Sequence, residues 1–285
     1  MKKILVPTDF SANAYHALEY ATKIAWKFGG EILLFTAYKI PSTKREVVTA
    51  NTANVSSKIP VMKDVKVNYI NRLKKLAGMF GADNPFIGTN ILRFTELAEE
   101  GDPIEKIIEI TDEKKVDLVV ISPRGAGNQD YNPMGSITGS IISELNCPLL
   151  VIPENATYKP IKKIVYAIDL ENYDQNSIYS LKSFADKFNA HITLLHISDD
   201  ADLDDKHFKN YKEIMNRVTD YENLTFELIK SNDIATAIDD YIIEHKADML
   251  AMLSRKRNLI DKTFNSSLTR KMSYHVSIPL LAFHE

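Results

Sequence analysis

Gly125, Gly135 and Ser136 fall in one run, Ser122-Pro123-Arg124-Gly125-Ala126-Gly127-Asn128-Gln129-Asp130-Tyr131-Asn132-Pro133-Met134-Gly135-Ser136-Ile137, whose residue types suit an anion. Glycine lets a backbone approach a ligand closely, and the first N–H groups of a helix are unpaired donors. A helix beginning at Gly135-Ser136 and running through Ile141 to Leu145 would aim such donors at a phosphate, with the Ser136 hydroxyl beside them. The plainer reading is two turn glycines in a long loop. Arg124 suits a solvated loop charge as well as a phosphate partner. The run lacks Gly-Lys-Ser/Thr, and no GxGxxG follows the first apolar run, so neither common phosphate fingerprint applies. Asp9, which closes the first apolar run, reads either as a ligand contact or as a helix cap or satisfied strand-end carboxylate. There is no HExxH, no GxSxG and no nucleophile and base at a recognisable spacing. His191 and His196 are an odd number of residues apart, which puts them on opposite strand faces. The acidic run Asp199 to Asp205 lacks the glycine and terminal glutamate of a calcium loop and reads as a solvated loop. No metal site is expected.

The elements that must position these residues occur twice. Lys2-Lys3-Ile4-Leu5-Val6-Pro7-Thr8-Asp9-Phe10 matches Lys162-Lys163-Ile164-Val165-Tyr166-Ala167-Ile168-Asp169-Leu170 at an offset of 160, without a gap through Leu34 and Leu194. Ile4–Val6 and Ile164–Tyr166 read as buried strands. Helices follow, with apolar faces at Ala14, Ala17, Leu18, Ala21, Ile24, Ala25 and Phe28, and at Ile178, Leu181, Phe184, Ala185 and Phe188. Gly29-Gly30 and Asn189-Ala190 stop them. Second strands are expected at Glu31–Ala37 and His191–Ile197. Residues 39–60 read as a loop or lid, followed by a helix near 61–80 and a strand near 90–97; the second copy has a helix near 206–221 and a strand near 224–230. Asp102-Pro103 opens a helix with inner face Ile104, Ile107, Ile108 and Thr111, and Asn232 takes the cap position in the second copy. Fourth strands at 117–121 and 248–252 and last strands at 148–152 and 279–283 complete each copy. This alternation predicts two tandem doubly wound α/β domains, residues 1–155 and 160–285, each with a parallel sheet and a site beyond the carboxyl ends of its strands.

Composition narrows the classes. The 285 residues carry 35 basic against 38 acidic side chains, a net charge of −3, without the basic excess of a nucleic-acid binder. No apolar stretch approaches the roughly 20 residues that span a bilayer. One cysteine, Cys147, allows no internal disulfide and reads as a small buried thiol. A cytoplasmic location is expected.

Taken together these features resemble a tandem universal stress protein. That family carries Gly-x2-Gly-x9-Gly-Ser/Thr after its fourth strand, and this chain has Ser122-x2-Gly125-x9-Gly135-Ser136, with Ser122 the one departure. Pro7-Thr8-Asp9-Phe10-Ser11, Gly101-Asp102-Pro103 and Cys147-Pro148-Leu149-Leu150-Val151 are also family-like. The resemblance implies ATP binding in the first copy, with Mg²⁺ accompanying it. Pro7, Thr8 and Asp9 would lie at the ribose or adenine, and the Ala37 backbone at adenine. Ile121 and Ser122 would line the nucleotide, while Arg124, Gly125, Gly135, Ser136 and Ile137 would surround the phosphates. In the second copy the register reads Leu253-x2-Lys256-x9-Ser266-Ser267, with every glycine gone, so no binding of that kind is expected there. The resemblance further implies an internal pseudo-dimer through the last strands and a homo-oligomer. A slow ATPase and a ligand-free interaction scaffold are the alternatives.

Overall fold

Short apolar runs ended by polar residues become strands, and amphipathic runs between them become covering helices. The computed structural model describes residues 1–40, 58–82, 92–123, 136–154, 156–170, 175–198, 201–254 and 277–284, with 268, 269 and 272. They fall into two compact units, one within Met1–Ile121, the other taking Ser122 and Pro123 and, from Ser136 onward, the rest of the chain.

The first unit contains β1 (Lys3–Pro7), α1 (Ala12–Phe28), β2 (Glu31–Tyr38), α2 (Lys58–Ala82), β3 (Arg93–Glu100), α3 (Pro103–Lys114) and β4 (Leu118–Ile121). Its strands are parallel in the order β3-β2-β1-β4. The chain therefore moves outward from β1 and returns on its other side, which makes the β1–β4 boundary the switch point. Ile4, Leu5, Val6, Leu34, Leu118 and Val119 are fully buried, each such aliphatic side chain stabilising the fold by about 1.5–3 kcal/mol. Gly29 ends α1 at φ +65°, in the left-handed conformation expected of it. The inner face of α3 is Ile107, Ile110 and Thr111. Ile104 and Ile108, expected inside, are half-exposed because the helix presents a narrower stripe to the sheet.

The second unit contains α4 (Ser136–Ile141), β5 (Leu149–Val151), β6 (Lys163–Ile168), α5 (Gln175–Phe188), β7 (His191–Ser198), α6 (Ala201–Thr219), β8 (Leu224–Lys230), α7 (Ile234–His245), β9 (Met249–Ser254) and β10 (Leu280–His284). The strand order is β5-β10-β9-β6-β7-β8, parallel except where β10 meets β5 antiparallel, with Leu281 opposite Leu150. The last strands of the two sequence repeats thus pair with each other, as the resemblance implied.

Two readings are corrected here. Asp233, not Asn232, caps α7, accepting from the Thr236 N–H at 3.2 Å and the Thr236 hydroxyl at 2.8 Å. The acidic run is not all loop, because α6 begins at Ala201. Phe208, Tyr211 and Met215, buried at helical spacing, fix this helix on its sheet, and the helix extends back from them into the acidic run.

The repeat is visible atom by atom. The backbone N–H groups of Lys2 and Lys3 donate to Asp117 Oδ2 at 2.6 and 2.9 Å, and those of Lys162 and Lys163 to Asp248 Oδ2 at 2.8 and 2.9 Å. Lys3 Nζ donates to the Lys114 carbonyl at 2.9 Å, and Lys163 Nζ to the His245 carbonyl at 3.0 Å. No described helix is long and apolar enough to cross a membrane.

Candidate functional site

In the first unit the strand ends are shaped by short-range hydrogen bonds. Thr8 is buried, and its N–H continues the β1–β2 ladder to the Phe35 carbonyl at 2.7 Å. The Thr8 hydroxyl accepts from the Phe10 N–H at 3.0 Å, and Asp9 Oδ1 from the Ser11 N–H at 2.9 Å. Ser11 then caps α1 by accepting from the Ala14 N–H at 3.3 Å. Asp9 is therefore not the cap. It is an exposed carboxylate in a turn at the carboxyl end of β1.

Ala37 lies two residues beyond Phe35. The Phe35 peptide faces β1, and the period-two backbone of a strand turns Ala37 to the same side. β1 pairs with β2 no further than Pro7 opposite Phe35. The Ala37 peptide thus faces the space past the end of β1, where its donor and acceptor can meet a planar heterocycle edge-on. Ile121 is the last residue of β4 and is buried. Pro7, Thr8, Asp9, Ala37 and Ile121 accordingly share the carboxyl edge of three neighbouring strands.

In the second unit Ser122 is only 8% exposed. Its carbonyl accepts from the Thr138 hydroxyl at 3.3 Å, yet its own Oγ is buried with no hydrogen-bond partner among the described residues. Leaving a buried hydroxyl unpaired costs about 1–3 kcal/mol. Ser136 begins α4 and Ile137 follows it, half-buried. Arg124, Gly125 and Gly135 lie outside the described residues, as do Lys256, Ser266 and Ser267.

The second repeat keeps the scaffold and changes the lining. The Thr269 hydroxyl donates to the Leu253 carbonyl at 3.4 Å, the counterpart of Thr138 and Ser122 at an offset of 131. Leu253 puts a buried aliphatic side chain where Ser122 has its hydroxyl. Beyond β6, the buried His196 takes the Ile168 carbonyl through Nδ1 at 3.0 Å and stacks on Phe208. Protein groups satisfy one another there.

Four residues at the first unit's strand ends had not been singled out. Tyr38 ends β2 and stacks on Tyr69 of α2, with centroids 5.0 Å apart and planes at 11°. Arg72, one turn further along α2, places its guanidinium carbon 3.9 Å from the Phe10 ring centroid. Burial, reinforced by Glu100, Glu99 and Tyr69, pushes the Tyr38 hydroxyl above its ordinary range. The three-residue spacing of Tyr69 and Arg72 shows a shared helix face, but nothing local shows which strand ends that face meets. Tyr20 and Tyr241 are buried packing residues, and Cys147 is the small buried thiol read from the sequence.

A model of the universal stress protein family matches residues 1–153 and again 160–284. Two universal stress proteins of Methanocaldococcus jannaschii are 26% and 24% identical over 151 and 155 residues; each match covers 53% of this chain, and 81% and 94% of the relatives. A solved universal stress protein from Archaeoglobus fulgidus superposes with a TM-score of 0.72 at 15% identity, over 99% of this chain and 98% of its own. At that identity the likeness is one of fold.

Proposed function

Because the chain belongs to the universal stress protein family, we propose that its first repeat binds an adenine nucleotide, ATP with Mg²⁺, and that binding regulates a stress response. The observation that carries this reading is the Ser122 hydroxyl, buried and without a partner among the described residues. A ligand oxygen or nitrogen at that point would satisfy it. Asp9 and the Ala37 peptide would hold the ribose and base. Gly125, Gly135, Ser136 and Ile137 would supply backbone donors to the phosphates, with Arg124 adding charge. Mg²⁺ supplies charge neutralisation on the polyphosphate. The reading is of a binding protein, with at most weak ATP hydrolysis, acting in the cytoplasm.

We take the repeats as residues 1–155 and 160–285, and confine binding to the first. In the second, Leu253 stands where the first has Ser122, and His196, the counterpart of Thr36, bonds the Ile168 carbonyl at the end of β6, which favours a role in assembly, within the chain and between copies. A regulator of this kind needs unequal nucleotide affinity for two conformations.

Heat denaturation of the purified chain tests the reading, with the released small molecules identified by mass. An adenine nucleotide is expected in the supernatant, or a rise in thermal midpoint when ATP and Mg²⁺ are added to empty protein. Protein that releases none and gains no stability from millimolar ATP is the scaffold alternative. ATP turnover abolished by Gly135→Lys would instead favour a slow ATPase.

A further inference from the structure

Phe10 follows Asp9, and Tyr38 follows Ala37. The two rings beside the proposed ligand contacts are each covered from α2, Tyr38 by Tyr69 and Phe10 by Arg72. The Arg72 guanidinium carbon also lies 5.8 Å from the Tyr69 centroid, so it is near two aromatic rings while closest to Phe10. Arg72 is exposed, and its only interactions among the described residues are these ring contacts. Among the described residues its five N–H donors have no hydrogen-bond partner, and its guanidinium carbon lies over the Phe10 ring. Phe10 itself has φ +65°, a left-handed conformation unfavourable for a bulky residue. Such geometry persists where surrounding contacts over-determine it.

The charge around this cluster is acidic. Asp9 stands at the end of β1, and Glu99 and Glu100 at the end of β3, opposite Ala37 and Tyr38. Lys106 is engaged by Glu99 at 3.6 Å and Glu109 at 2.6 Å. Asp9 and Glu100 there favour an uncharged, planar part of a ligand over a polyphosphate at the β1–β2 end.

We propose that Arg72 is a specificity residue for the base of the bound nucleotide: carried on the Phe10 ring, its guanidinium offers the base a stacking face and a rim of donors. The proposal rests on the nucleotide reading above. It explains why an arginine without a carboxylate partner among the described residues is held by an aromatic residue in the left-handed conformation beside Asp9.

Calorimetric titration of the full chain with adenosine and with ATP and Mg²⁺ tests it. Arg72→Ala should weaken both ligands by the same factor, about tenfold, in the range of losing one base-stacking contact. Arg72→Lys should recover little of this, because an ammonium offers no plane. Phe10→Leu, which removes the platform, should weaken both ligands alike. Thermal unfolding checks that each variant is folded, and Arg72→Gln takes the place of any Arg72→Ala protein that is not. Loss of ATP affinity with adenosine unchanged would make Arg72 a phosphate contact and overturn the proposal. So would unchanged affinity for both ligands, or full recovery with lysine. Wild-type protein that binds neither ligand overturns the nucleotide reading and this proposal together, whereas a failure confined to the variants overturns this proposal alone.

Discussion

Ser122 is under two opposed demands. Its Oγ is buried without a partner among the described residues, so in protein without bound nucleotide Ser122→Ala is expected to stabilise the fold by about 1–2 kcal/mol, the relief of an unsatisfied hydroxyl. The same change should weaken ATP binding several-fold if a ligand atom meets that hydroxyl. Urea denaturation and titration calorimetry read the two effects separately. Destabilisation by Ser122→Ala would mean the hydroxyl has a partner in solution, and the argument for a ligand there would lose its basis. The sequence marked Ser122 as a departure from its family's glycine. It did not reveal an unpaired hydroxyl, because that depends on what surrounds Ser122 and not on its neighbours in the chain. Asp9 teaches a related lesson. Asp9 and Ser11 are both competent caps two residues apart, and only the start of α1 decides that Ser11 caps while Asp9 faces the strand edge.

At the scale of elements the repeat was readable in detail. The apolar stripes of α1 and α5, the stops at Gly29 and Asn189 and the β1–β2 and β6–β7 registers agree with the offset of 160. These features are local, since side-chain periodicity and left-handed residues act within a few positions. The caps of α3 and α7 were half-readable. Asp102 caps α3 with Oδ1 accepting from the Ile104 and Glu105 N–H groups at 2.9 and 3.4 Å. Asp233 does the same work in α7, where Asn232 was expected. Asp102→Ala and Asp233→Ala should each cost about 1 kcal/mol, and Asn232→Ala should cost little. Thermal denaturation of the three variants checks this; a loss at Asn232 equal to that at Asp233 would contradict the cap assignment.

At the scale of the molecule, β5 and β10 form the one antiparallel pair among the described strands. Leu149, Leu150 and Val151 are fully or almost fully buried in that pairing. Residues 1–155 expressed alone would leave this apolar strand as an open edge, a template for pairing with another copy. That fragment should therefore self-associate, with a mass by light scattering that rises with concentration. A fragment that stays monomeric at all concentrations would show that β10 is not needed to cover β5. The compact division at Ile121 adds to this, since α4 and β5 pack with the second unit although they belong to the first repeat.

The sequence by itself determined the tandem α/β architecture, the position of nearly every strand and helix, and the contrast between a glycine-bearing run after the first repeat's fourth strand and its glycine-free counterpart. Each follows from residue type and short-range period, which the chain carries wherever it folds. Only the tertiary structure decided which distant residues meet. It brought Tyr69 and Arg72 onto Tyr38 and Phe10, left the Ser122 hydroxyl buried, and filled the second repeat's strand end with His196. Those contacts join residues far apart in the chain, so they depend on how the crossover helices dock on the sheets, and no local pattern encodes that docking.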